Sequence, residues 1–200
     1  MKFTPFTVLT LAAVSLAAPQ YQAPDSFKIT SVVSGGSGCP QDSIDINWTD
    51  KGILPIYFNK QFTATVGTTR DPTDSRKNCQ INLSLAFSPG FSFAVFSADY
   101  TGWADLDAGV TGNVKSTYYF SGEQAQATST LSISGPFHGK YLKEDDIALA
   151  VWSPCGSDAM LNVNSEVALT PLSGPGNGVL AATREEGRLV SNLYVQWRKC

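Results

Sequence analysis

Histidine is all but missing: His138 is the only one in 200 residues. A Ser–His–Asp or Cys–His centre would have to use it, and one imidazole excludes a multi-histidine zinc or copper site within the chain. It sits in Gly135-Pro136-Phe137-His138-Gly139-Lys140, which reads as a loop, and no G-x-S-x-G elbow is present to hold a serine nucleophile. Charge is also scarce, at 16% of residues against roughly 25% in an average soluble domain. The net charge of −3 gives no electrostatic case for nucleic acid or an anionic membrane. Nor is there an apolar run of the roughly 20 residues that a membrane span needs. Amphipathic patterns of three helical turns are absent as well, which excludes a coiled coil or helical bundle.

What is abundant is Ser and Thr, 38 residues together, and alternation of apolar and polar side chains with period two. The clearest runs are Ser43–Trp48, Gln61–Val66, Cys79–Phe87, Phe91–Ala98, Val114–Ser121, Ala125–Ser134, Ile147–Trp152, Leu161–Thr170 and Leu189–Trp197. Ser26–Val33 and Ile53–Phe58 are further strands, the latter marked by Pro55 as an edge or bulged strand. Short polar or Gly/Pro segments separate the runs. About nine to eleven strands at this spacing predict an all-β, antiparallel β-sandwich. A short helical turn is expected around Leu142–Asp146.

The first segment, MKFTPFTVLTLAAVSLAAP, has a basic start, an apolar stretch from Phe6 to Leu16 and then small residues. This is the layout of a secretory signal peptide, with cleavage expected after Ala17. The expected organisation is therefore a signal peptide over 1–17 and one secreted domain over 18–200, with 18–26 as a loose leader. Cys39, Cys79, Cys155 and Cys200 then enter an oxidising space, where an even count reads as two disulfides. Three pairings are possible. We expect Cys39–Cys79 and Cys155–Cys200, each closing a loop worth roughly 4 kcal/mol on the chain-entropy argument. Their spacings fit no zinc pattern. Two N-x-[ST] sequons, at Asn47 and Asn82, fall in the polar phase of their strands, so both are candidate glycosylation sites.

Several short motifs carry a family resemblance. Gly36-Ser37-Gly38-Cys39-Pro40 is followed by Arg76-Lys77-Asn78-Cys79-Gln80-Ile81-Asn82-Leu83. Next come Asp107-Ala108-Gly109-Val110-Thr111-Gly112, Ser116-Thr117-Tyr118-Tyr119-Phe120-Ser121-Gly122 and Val151-Trp152-Ser153-Pro154-Cys155-Gly156. Gln196-Trp197-Arg198-Lys199-Cys200 closes the series. In this order, over about residues 36–200, the chain resembles the secreted, largely fungal family labelled domain of unknown function 4360. The resemblance implies an exported small protein and brings no catalytic residue with it.

Chemistry is therefore sought among carboxylates and aromatics. Glycan hydrolysis needs two acids flanking the bond. Of the five glutamates only Glu166 lies mid-strand, sharing a polar face with Asn162 and Asn164, so it is the candidate catalytic residue, with Asp99, Asp105 or Asp107 as partner. A polar strand face of this kind more commonly just meets water. Glu144-Asp145-Asp146 and Asp105-Leu106-Asp107 cluster hard oxygens but lack a calcium-loop spacing, so no metal or other cofactor is expected. Trp103, Tyr119 and Tyr141 are candidate ligand-binding rings, and the repeated Trp-x-x-Cys at Trp152 and Trp197 offers either core filling or an aromatic platform. The leading expectation is a non-catalytic extracellular binding or effector-type protein, with a cell-wall glycan or host surface component as partner. A glycan hydrolase and a structural cell-wall protein are the alternatives.

Overall fold

The computed structural model describes residues 23–46, 52–181 and 189–200. The expected signal peptide, the sequon at Asn47 and the side chains of 146–150 and 189 lie outside what is described. Eleven strands follow in order: β1 Phe27–Gly35, β2 Ile44–Ile46, β3 Ile53–Phe58, β4 Ala64–Val66, β5 Arg76–Leu106, β6 Thr111–Phe120, β7 Gln126–Ser134, β8 Phe137–Trp152, β9 Gly156–Thr170, β10 Gly178–Leu180 and β11 Leu189–Lys199. One 3-10 turn, Pro72–Ser75, precedes β5; Asp71 caps it by accepting from the Thr73 amide. All pairings are antiparallel.

The organising element is β5. Two of the expected strands, Cys79–Phe87 and Phe91–Ala98, are halves of this one 31-residue strand. It changes register against β9 between Ala86 and Phe91. Ser88-Pro89-Gly90 sits at that point, and Gly90 takes φ +83°, a conformation glycine adopts without Cβ strain. Before the change β5 pairs with β1 and β9; after it, with β11 and β8. One layer is therefore β1-β5-β9-β6-β7 and the other β2-β3-β11-β5-β8, with β10 and β4 continuing beyond β11 along Ala104–Leu106. The inner faces meet in one core. Phe93 and Phe120, from opposite layers, pack edge to face at 4.7 Å, and Tyr100 and Tyr118 touch through their hydroxyls at 3.0 Å.

Both expected disulfides form. Cys39–Cys79 ties the β1–β2 connection to the start of β5, and Cys155–Cys200 ties the turn after β8 to the last residue. Of the Trp-x-x-Cys repeat, only Trp197 fills the core. Trp197 is buried against Phe27, Phe87 and Phe93, whereas half-buried Trp152 is covered by the Arg198 guanidinium, 4.1 Å from its ring centre.

Two expectations are corrected. Pro55 lies not on an edge strand but on β3, between β2 and β11. Among the described residues β2 pairs with Ile56–Phe58, and Pro55 itself is paired with Asn192 of β11. The second correction concerns Leu142–Asp146, which is no helical turn but the middle of β8. There the alternation persists with inverted chemistry: Tyr141, Lys143 and Asp145 point inward, while Leu142 and Glu144 are exposed. Charges are tolerated inside because they are satisfied. The Lys143 ammonium contacts Asp145 and donates to Ser116 Oγ at 2.7 Å, 4.8 Å from the centre of the Tyr100 ring. The Asp145 carboxylate also accepts from Ser116 (2.8 Å), Tyr118 (3.2 Å) and Ser129.

Candidate functional site

The structure does not bring the sequence candidates together: Tyr141 lies in the core, Tyr119 and Glu166 share one outer face, and Trp103 lies on the other. Tyr141 is turned inward: its ring is 6% exposed, and a Cβ on Gly102 would lie 2.4 Å from its hydroxyl. It therefore lies in the core and has no face to offer a ligand. Burial pushes its hydroxyl well above the ordinary tyrosine value, and among the described residues that hydroxyl has no hydrogen-bond partner. Tyr119 stands on the outer face of the β1-β5-β9-β6-β7 layer, where its hydroxyl meets the Gln80 amide at 3.4 Å.

Glu166 shares that outer face. It pairs with Arg76 and lies between Asn78 and Lys115 in the ladder. Asp99 and Asp105, two of the acids considered as its partner, alternate with buried Ala98, Tyr100, Ala104 and Leu106 on the outer face of the other layer. The thickness of the sandwich separates them from Glu166. The third, Asp107, follows the end of β5 and accepts from the Asn177 backbone amide and side chain at 2.7 and 3.1 Å. Asp158, which does share the face, is eight positions along β9, or about 26 Å away. Asn82 is also here, mid-sheet. Its side-chain nitrogen, the atom a glycan would occupy, donates to Asn162, whose own amide donates to Ser121 at 3.0 Å.

The richest grouping is on the other outer face. β5 presents Asp99, Thr101, Trp103 and Asp105; β8 sets Glu144, Leu142, Lys140 and His138 directly opposite them. Successive outward positions are about 6.8 Å apart, so the four rows form a strip of about 20 Å. At its centre Trp103 is half-buried, its backbone carbonyl receiving the Ala181 amide at 2.9 Å. Ala181 itself is at φ +88°, a strained conformation for a residue with a Cβ. The His138 ring stands edge-on to the indole at 5.0 Å, and its Nδ1 faces Asp105 Oδ1 at 3.1 Å. At the far end Tyr194 donates to Asp99 at 2.7 Å. That bond raises the Tyr194 hydroxyl above its usual value, with smaller contributions from burial and the charges of Asp99 and Glu144.

Such a strip combines an amphipathic ring on a rigid sheet with carboxylate, hydroxyl and imidazole groups within reach on both sides, the mixture that a polar, ring-shaped ligand needs. Sequence reading singled out Trp103 and missed its company. His138 looked like a loop residue and Glu144 part of a turn, and both become strand positions only once β8 is seen to run unbroken from Phe137. Among the described residues no three acidic, histidine or cysteine side chains are grouped to hold a metal. The acids of Asp105-Leu106-Asp107 engage His138 and Asn177 instead, and Asp145 engages Lys143.

Residues 25–200 match a protein family described as Domain of unknown function (DUF4360). An uncharacterized secreted protein of Arthroderma benhamiae is 37% identical over 180 residues, 88% of this chain and 73% of that protein. Among solved structures, TmCBM61 in complex with β-1,4-galactotriose matches over 86% of this chain and 91% of that one, at 9% identity and a TM-score of 0.29. The family 11 carbohydrate-binding module from Clostridium thermocellum, in complex with a β-1,3-1,4-mixed-linked tetrasaccharide, matches over 84% and 89%, at 8% identity and a TM-score of 0.26. Likeness at that level carries no argument about the ligand of this chain.

Proposed function

The chain belongs to the DUF4360 family, and on that premise we propose that it is a secreted, non-catalytic binding protein that takes a glycan at a cell wall or host surface. The observation that carries this reading is Trp103: a half-buried indole fixed in the outer face of a sheet, with Asp105 and His138 on one side and Thr101 and Lys140 beside it. A sugar presents a flat apolar face to such a ring and hydroxyls to the flanking polar groups. Export into the wall space, supported by the secreted relative and the two disulfides, brings the strip to polymers of that kind.

Intrinsic tryptophan fluorescence titrated with chitin, glucan, mannan and pectin oligomers tests the reading. One class is expected to bind, and Trp103→Ala to weaken it at least tenfold, about 1.4 kcal/mol. No response from any class removes the proposal.

A second reading, glycoside hydrolysis, is favoured by one specific arrangement. Asp99 and Glu144 stand opposite each other on adjacent strands, with the Tyr194 hydroxyl on Asp99. Paired carboxylates are the machinery of that reaction. Reducing-sugar release from the same polymers decides it: release that Glu144→Gln abolishes and Glu166→Gln leaves intact would establish hydrolysis at this pair. Equal release from all three proteins, or none, would discard it.

A further inference from the structure

We propose that the protein forms a twofold dimer by antiparallel pairing of β7 with β7 of a second copy, joining the β1-β5-β9-β6-β7 layers of the two chains into one sheet. A sheet edge offers unpaired backbone donors and acceptors, and folded proteins guard such edges with short strands, charges, prolines or bulges. Among the described residues four of the strands at the edges are guarded. β1 carries Lys28 and a register shift between Ile29 and Ser31. β2 has three residues with Asp45 at its centre, and β4 is equally short. β8 carries charge along both faces, with His138, Lys140 and Glu144 outward and Lys143 and Asp145 inward.

β7 has none of these devices. It runs nine residues, QATSTLSIS, without a charge or a proline, and it pairs with β6 in unbroken register from Thr111↔Ser134 to Tyr119↔Gln126. Its outward side chains, Gln126, Thr128, Thr130 and Ser132, are exposed and small or neutral. Its inward Ala127 and Leu131 pack against the core yet remain only partly buried, so the hydrophobic interior is left open along this edge.

Self-pairing suits this strand in particular. A twofold axis sets each residue against a residue of the same strand, so a charge near the centre would meet its own sign; β7 carries none. Centred on Thr130, the pairing sets Thr128 against Ser132 of the second copy and Gln126 against Ser134 on the outer face. On the inner face Ala127 meets Ile133 and Ser129 meets Leu131, which continues the core across the junction. A second copy is thus matched in charge, size and face, and it covers Leu131.

Light scattering and sedimentation of the secreted protein across a concentration series test this. The wild type is expected at twice the chain mass. Thr128→Lys/Ser132→Lys sets lysine against lysine across the axis and is expected to halve the mass while leaving the thermal transition in place. Thr128→Glu/Ser132→Glu should behave likewise, and an equimolar mixture of the two variants should restore the doubled mass. A wild type that stays monomeric at every concentration would overturn the proposal and leave the edge to a foreign extended segment. So would a dimer that neither variant dissociates, or a variant mixture that stays monomeric.

Discussion

Lys143 and Asp145 form an ion pair inside the sandwich, with their side chains 3% and 1% exposed. Two residues apart on β8, they point the same way, into the gap between the layers. Asp145 reaches Ser116 and Tyr118 on β6 and Ser129 on β7, so the pair joins the edge of one layer to the strands of the other. Breaking such a pair strands a charge. Asp145→Leu is expected to cost about 3–5 kcal/mol in urea unfolding, and Lys143→Met/Asp145→Leu to recover much of that loss. A double variant as unstable as the single one would show that the hydroxyl contacts, not the charges, carry the stability.

Tyr141 offers the opposite case, a buried hydroxyl with no partner among the described residues. Tyr141→Phe removes a desolvation cost without removing a bond, so a gain of about 1 kcal/mol is expected by urea unfolding. A loss of stability would contradict this.

The same residue shapes alkaline stability. An unfolded tyrosine releases its proton near pH 10, whereas burial keeps Tyr118 and Tyr141 protonated to higher pH in the fold. Above pH 10 the folded state therefore holds more protons than the unfolded one, and stability falls as pH rises, by up to about 1.4 kcal/mol per pH unit per tyrosine. Lys143 works in the other direction. Burial lowers its value below the ordinary 10.5, Asp145 opposing, so its contribution rises with pH between that lowered value and 10.5. Unfolding free energies measured from pH 8 to 11 should show a shallower alkaline decline in Tyr141→Phe and a steeper one in Lys143→Met.

Gly102 gives way to the Tyr141 ring, whose hydroxyl and two ring carbons would stand 2.4, 2.6 and 2.9 Å from an added Cβ. That ring is enclosed and cannot swing aside freely. Gly102→Ala is expected to cost about 1–3 kcal/mol in thermal or urea unfolding, and Tyr141→Phe should not rescue it because the ring carbons remain. Rescue by Tyr141→Leu would confirm the contact.

Removing the terminal staple with Cys155→Ser/Cys200→Ser should cost about 4 kcal/mol, read as a lowered urea midpoint. An unchanged midpoint would mean that the β11–β5 ladder alone holds the terminus.

Much of this architecture was legible from alternation alone. Strands such as β3 were readable to the residue, two disulfides followed from an even cysteine count in an exported chain, though that count left three pairings open, and the outward phase of Glu166 was evident from its neighbours. The central part of β8 was not, because inward Lys143 and Asp145 are charged while outward Leu142 is apolar, which inverts the signal that hydrophobic patterning relies on. The continuity of β5 was hidden by Ser88-Pro89-Gly90, which ordinarily ends a strand and here bends one. The strip around Trp103 was illegible for the same reason as β8: Glu144, 45 positions away in sequence, reaches Asp99 only through a ladder that the misread segment supplies.

Because Arg76–Leu106 lends a central strand to each layer, neither layer is a self-sufficient piece. Cutting the chain near Gly90 would deprive both halves at once of their inner template. The molecule should accordingly melt in a single step and yield no stable half when nicked there, whichever layer the protease or denaturant reaches first.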